Sequence, residues 1–203
     1  MGRSWTQAAS FSSINSLAIF AASSRVGVVV SNNRTAGALR RAHAAGVPAR
    51  HLSAVTAGGA AALDQTLRDT LLEFDTQWVL LAGYMKRLGP LTRAAFAGRI
   101  MNTHPALLPE FGGQGMYGMN VHRAVLAAGR KVSGATVHWV DAGYDSGAVI
   151  RQVRVPVEPS DSADSLAARV QAAERDLVVE VLAAATAGRL GPPPAAGGRS
   201  AIS

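Results

Sequence analysis

Apolar residues in this chain fall into short blocks, and the spacing of the blocks predicts strands alternating with helices. Val26–Val30 (VGVVV) and Trp78–Ala82 (WVLLA) are near-continuous apolar runs, stopped by Ser31-Asn32-Asn33 and by Gly83. Such runs fit strands buried on both faces. Between them, Ala36–Ala45 reads as a helix closed by Gly46, Arg50–Val55 as a strand, and Ala60–Phe74 as a helix. Leu91–Ala97 is a short helix stopped by Gly98, and Arg99–Asn102 is a third strand. The alternation predicts a mostly parallel sheet with right-handed crossovers. The pattern then changes. A Gly-rich loop leads to a helix near Met119–Ala128. Gly134–Val140 (GATVHWV) alternates like a strand, and Ala148–Val157 follows as its antiparallel neighbour. Ser162–Ala185 is the longest helix, with Ser160–Asp161 in its cap region. At the start, Asn15–Ala22 reads as a short helix and residues 1–14 show no pattern. The predicted class is α/β, an open, mostly parallel twisted sheet with helices on both faces and an antiparallel pair late in the chain. One domain over residues 1–187, with an atypical start at 1–25, holds these elements. The Pro/Gly/Ala-rich segment 188–203 is expected to be a mobile tail.

Composition narrows the class. A chain of 203 residues suits one domain with a sizeable core. No apolar run approaches the roughly 18 residues that a membrane helix needs, so a membrane partner is not expected. Without cysteine there is no disulfide, thiolate zinc site or cysteine nucleophile, which is compatible with the cytoplasm. Charge is uneven. Residues 1–63 hold six Arg and no acid, whereas residues 64–203 hold fourteen Lys and Arg against thirteen acids. This is read as a solvated basic surface, an attraction for anionic ligands, or an acid-poor leader, the last weakened by only two Arg in residues 1–25.

In an open α/β sheet, ligands bind beyond the carboxyl ends of the strands. Three segments fall there: Gly83–Leu88 (GYMKRL), Asn102–His104 (NTH) and Asp141–Gly147 (DAGYDSG). Asn102 and His104 are two apart, so in extended chain both face one way. An amide beside an imidazole suits a developing oxyanion. A lone histidine is ordinarily a satisfied core residue. The Asn neighbour, the strand end and the punctuation by Pro105 and Pro109 bring the two readings level. Asp145, before Ser-Gly, is ordinarily turn chemistry. Beside His104 its charge would favour the imidazolium and raise that pKa, or it would hold a water for proton transfer. In the last helix, Leu166, Val170, Ala173, Leu177 and Val181 form an apolar stripe with Glu174 on its edge. A carboxylate there must be paired, hydrogen-bonded or facing a cavity; pairing with an Arg and binding a cationic or hydroxyl-bearing ligand are the two readings. His138 and His122 read as structural or supporting, and His43 and His51 belong to no constellation. None of the five histidines shows metal-site spacing, so no metal is expected.

Taken together, LLAGYMKRLGP, RIMNTHPALLPEF, GMYGMNVHRAVL, SGATVHWVDAGYDSGAVI and ARVQAAERDLV resemble the glycinamide ribonucleotide formyltransferases of purine synthesis. The resemblance covers residues 26–185 and implies a formyltransferase-type, Rossmann-like sheet. It implies catalytic roles for Asn102, His104 and Asp145. It implies a 10-formyltetrahydrofolate co-substrate against Met85, Lys86, Arg87, Leu88, Asn102, Asp141, Ala142, Gly143, Tyr144 and Asp145. It implies glycinamide ribonucleotide against Ser13, Asn15, Gly83, Gln171 and Glu174, and a cis Leu108–Pro109 bond. The implied reaction is direct attack of the amine on the formyl carbon. Protonated His104 and the Asn102 amide then stabilise the oxyanion, and Asp145 assists proton transfer. The implied partners are small-molecule substrates, without nucleic acid, acting on a monomer or homodimer. The family's opening strand and Ser-Gly-x-Gly-Ser-Asn loop are degraded or missing here. Ser10–Asn15 (SFSSIN) is the counterpart and lacks both glycines. The alternatives are hydrolysis of formyltetrahydrofolate, formyl transfer to an initiator methionyl-tRNA, and a non-catalytic folate- or nucleotide-binding relative. The tRNA reading is disfavoured because it usually needs a further C-terminal domain.

Overall fold

The computed structural model describes residues 16–21, 25–191 and 193, with backbone alone up to Arg25. The chain divides into two compact units, with the boundary between Ile100 and Met101.

In the first unit, β1 (Ser16–Ala21), β2 (Arg25–Ser31), β3 (Ala49–His51) and β4 (Thr76–Ala82) lie in the order β3–β2–β1–β4. Asn15–Ala22 was expected to be a helix, but residues 16–21 pair as a strand with both β2 and β4. A short apolar run has no periodicity to decide its state, and sheet pairing on both sides decides it here. The sheet is also mixed rather than mostly parallel. β2 runs parallel to β3, whereas β1 is antiparallel to both neighbours. Only residues 22–24 separate β1 from β2, too few for the crossover a parallel pair requires. The expected strand Arg50–Val55 shortens to β3 because Ser53 starts helix α2 (Ala54–Ala57). Its hydroxyl accepts from Thr56 N–H and its own N–H donates to Thr56 Oγ1, a reciprocal cap.

Helix α1 (Gly37–Ala44) buries Ala38, Leu39 and Ala42 against Val29, with Val26, Val47 and Ala49 packed around them. Helices α3 (Ala60–Glu73) and α4 (Pro90–Ala95) are joined by a buried carboxylate. Asp64 accepts from Leu91 N–H (2.8 Å), Thr92 N–H (3.0 Å) and the Thr92 hydroxyl (2.6 Å), donors left free at the start of α4. Gly89 is required there, since a Cβ would stand 2.1 Å from Asp64 Cγ. Burial pushes the Asp64 carboxyl up. The hydrogen bonds from Thr92 and Leu91, with Arg68 nearby, outweigh it and hold the group below its ordinary value. Asp64→Ala is therefore expected to cost about 3 kcal/mol, from loss of charge-assisted bonds and their unpaired donors. Because the folded value is depressed, this contribution is present above the ordinary carboxylate range and is lost as pH falls through the folded value. Thermal melts of wild type and variant should converge in acid; a constant gap would contradict the assignment.

In the second unit, which takes in β5 (Ile100–His104) from Met101 onward, β5, β6 (Val132–Trp139) and β7 (Val149–Pro156) are neighbours in that order, all antiparallel. The register pairs Asn102 with His138 and His104 with Thr136. Helix α5 (Met119–Ala127) packs on α6 (Ala163–Thr186), and α6 packs on β6 and β7. Leu166, Val170, Leu177 and Val181 are buried, as the stripe predicts. Ser162 caps α6 through a reciprocal bond with Ser165. Asp161 binds both guanidinium nitrogens of Arg169, which with the Ser165 hydroxyl and Glu158 N–H holds its carboxyl far below the ordinary range.

Candidate active site

The segment Met101–Gly113 owes its path to the two strands beside it. Pro105 ends β5. Thr136 of β6 then catches the departing chain, donating to Ala106 O (2.6 Å) and accepting from Leu108 N–H (3.1 Å). Gln152, opposite Thr136 on β7, donates to Leu108 O (2.9 Å) and to Thr136 Oγ1 (2.9 Å). The chain is thereby turned back over the end of β5, with the Leu108–Pro109 bond cis. Beyond the turn, Phe111 O and Gly113 N–H return to the residues at the strand tip.

Asn102, His104 and Asp145 are brought together. His104 Nδ1 lies 3.4 Å from Asp145 Oδ2, and Asn102 Nδ2 donates to Asp145 Oδ1 at 3.3 Å. Gly113 N–H donates to Asp145 Oδ2 (3.0 Å), and His104 Nε2–H donates to Phe111 O (2.7 Å). His138 joins the cluster. Its Nδ1–H donates to Trp139 O (2.8 Å), which leaves Nε2 to accept from Asn102 Nδ2 (3.0 Å) and to lie 3.5 Å from Asp145 Oδ1. His138 thus orients the Asn102 amide. Sequence reading placed it only in a supporting class; the β5–β6 register was the missing signal, since it sets His138 opposite Asn102.

His104 was expected to be protonated beside Asp145, and Asp145 does raise its pKa. Burial is the larger influence and lowers it; Asp145 and the Phe111 carbonyl oppose burial without cancelling it, and His138 adds to the lowering. His104 is therefore a neutral imidazole near neutral pH. Asp145 behaves oppositely. Burial pushes its carboxyl up, but the neighbouring His138 and His104 rings together with the Gly113 N–H hold it below the ordinary range. It stays ionised. His122, on α5, is buried and its Nδ1 has no hydrogen-bond partner among the described residues. Burial and then His104 lower its pKa.

The other expected residues fall in separate places. Asp141 Oδ1 accepts from Gly143 N–H (2.8 Å) and Ser146 Oγ (2.7 Å), which shapes the exposed 141–146 loop carrying Ala142 and Tyr144. Gly147 closes that loop against β6, where a Cβ would stand 1.8 Å from Trp139 O. Glu174 does not pair with an arginine. Its Oε1 accepts from Thr103 Oγ1 at 2.6 Å. Thr103 lies between Asn102 and His104, so its side chain leaves the opposite face of β5. Burial raises the Glu174 pKa, against the Thr103 bond and Arg175. Gln171 is half-buried one turn earlier on α6. In the first unit, Gly83 follows β4 with φ +68°; Met85, Lys86 and Arg87 are exposed and Leu88 is buried. Ser13 and Asn15 lie outside the described residues. Among the described residues no group of three or more histidine and carboxylate side chains is placed to hold a metal. No helix among them is long and apolar enough to cross a membrane.

Comparison with known proteins decides the family. The sequence model described as "Formyl transferase" matches residues 7–182. The chain belongs to the formyl transferase family. Within it, the chain is 51% identical over 118 residues to the chloroplastic phosphoribosylglycinamide formyltransferase of Vigna unguiculata, covering 58% of this chain and 38% of that one. It is 39% identical over 158 residues to the chloroplastic enzyme of that name from Arabidopsis thaliana, covering 77% and 54%. The chain thus spans about half or less of the length of these two plant formyltransferases. Among solved structures, it resembles glycinamide ribonucleotide transformylase 1 of Symbiobacterium toebii, with a TM-score of 0.76 and 38% identity. That match covers 81% of this chain and 76% of the other. The α/β fold with a mixed sheet is the fold of this formyl transferase group.

Proposed function

We propose that this chain transfers a formyl group from 10-formyltetrahydrofolate to the amine of glycinamide ribonucleotide, a step in purine synthesis. Family membership supports the reaction class. The observation that carries the reading is the convergence of Asn102, His104 and Asp145, with His104 Nδ1 3.4 Å from Asp145 Oδ2 at a strand tip.

The groups act in sequence. The neutral amine attacks the formyl carbon, giving a tetrahedral centre with an oxyanion and a cationic nitrogen. His104 rests neutral with its proton on Nε2, so Nδ1 takes a proton from that nitrogen. Ionised Asp145 stabilises the imidazolium that forms. The imidazolium and the Asn102 amide then face the oxyanion; the amide hydrogen now spent on Asp145 at 3.3 Å is the one available. His104 returns its proton to the leaving folate nitrogen, and the C–N bond to folate breaks. The products are the formamide and the folate amine, with no net change in protons. Holding both substrates together supplies much of the remaining acceleration.

The activity is assigned to residues 1–187. Donor binding is assigned to Asn102 and the 141–145 loop of the second unit. Acceptor binding is assigned to Gln171 and Glu174 of the second unit. The cytoplasm is the proposed location. The test follows deformylation of a 10-formyl folate by purified protein, with and without glycinamide ribonucleotide. Turnover that requires the acceptor is expected. Equal turnover without it would make the protein a hydrolase, and folate binding without turnover would make it a non-catalytic relative.

A further inference from the structure

The residues that touch His104 and Asp145 include two main-chain groups of a single turn, and that turn is held in an unusual conformation. Phe111 O receives the His104 Nε2 proton at 2.7 Å, and Gly113 N–H reaches Asp145 Oδ2 at 3.0 Å. A carbonyl oxygen can only accept a hydrogen bond. His104 must therefore keep a hydrogen on Nε2 in either charge state, and Nδ1 is the only ring nitrogen free to gain or lose one. For Phe111 O to point at the ring, Phe111 sits at φ +54°, a left-handed conformation that a bulky side chain rarely adopts. Gly113, two residues on, also sits in this region at φ +94°. A strained residue persists only where its surroundings hold it. The hold visible here is Arg130, between α5 and β6. Its guanidinium donates to Glu110 Oε1 (2.9 Å) and lies 6.0 Å from the centre of the Phe111 ring.

We infer that Phe111 is a positioning residue, braced by Arg130, whose main-chain carbonyl fixes His104 in the Nε2–H tautomer and so makes Nδ1, the nitrogen facing Asp145, the one that moves protons. The catalytic consequence rests on the proposed formyl transfer; the tautomer itself does not. Phe111→Gly keeps the backbone angle accessible but removes the ring and frees the turn. Phe111→Asn keeps a residue that tolerates the left-handed region. Arg130→Ala leaves Phe111 in place and removes its brace.

The experiment is nitrogen-15 NMR of ring-labelled histidines in the full chain, read above the His104 pKa, with steady-state kinetics alongside. His104 of the wild type is expected as a single Nε2–H tautomer. Phe111→Gly should show a mixture of tautomers, kcat lowered about tenfold and KM for both substrates within about twofold. Phe111→Asn should restore the single tautomer and most of kcat. Arg130→Ala should fall between wild type and Phe111→Gly. An Nδ1–H tautomer in the wild type would overturn the inference. So would a single Nε2–H tautomer in Phe111→Gly, and Arg130→Ala decides in the same way if Phe111→Gly fails to fold. If the wild type shows no formyl transfer, the activity is wrong, and the tautomer alone decides the positioning role.

Discussion

Replacing His104 with Ala is expected to lower kcat for acceptor-dependent deformylation by about a thousandfold, with KM for both substrates changed little. The size follows from two roles held by one ring. In the proposed mechanism it takes the proton from the attacking nitrogen, and as an imidazolium it faces the oxyanion. Neither Asn102 nor Asp145 can substitute, because the Asn amide does not titrate and the carboxyl is held ionised. The pH dependence of stability gives a second readout. The folded pKa of His104 is depressed by burial, so its contribution to stability is present above the ordinary imidazole value of about 6.5 and is lost as pH falls through the lower folded value. Melting curves of His104→Ala should lose that part of the acid sensitivity. Full activity in a folded His104→Ala protein would sink the mechanism.

Asp145→Asn is the second large effect, expected to lower kcat about a hundredfold. The amide keeps the shape and an acceptor for Gly113 N–H but removes the charge that stabilises the imidazolium. The His104 pKa should then fall further below its ordinary value. In the proposed mechanism His104 must be neutral to accept a proton, so kcat/KM falls as pH decreases through that pKa. The acidic limb of the pH–rate profile should therefore move to lower pH in Asp145→Asn. A limb that moved to higher pH would mean that Asp145 destabilises the imidazolium, contrary to the geometry.

Much of this arrangement was legible in the residues, for reasons that differ by element. Val26–Val30 and Trp78–Ala82 announced themselves because a doubly buried strand needs an unbroken apolar run. Asn102 and His104 were legible as a pair because extended chain puts residues two apart on one face. His138 was not, because its role depends on which residue of β5 lies opposite, and register is a property of two strands. The roles of Phe111 and Gly113 were hidden for a similar reason, since they act through main-chain atoms that any residue carries. Residues 16–21 were misread because a six-residue segment is too short to show a period. The pull of Asp145 on His104 was legible from the residues, but the depth of burial that outweighs it was not.

Thr103 and its bond to Glu174 make β5 a strand with chemistry on both sides, Asn102 and His104 facing one way and Thr103 the other. A strand of this kind has no silent face on which errors of length can be absorbed. Deleting or inserting one residue between Ile100 and Thr103 would exchange the sides, sending the histidine toward α6 and presenting a hydroxyl to Asp145. Across protein lineages, β5 should therefore vary by substitution and never by a single-residue change in length, whereas the exposed bend at Gln114–Gly115 is free to lengthen.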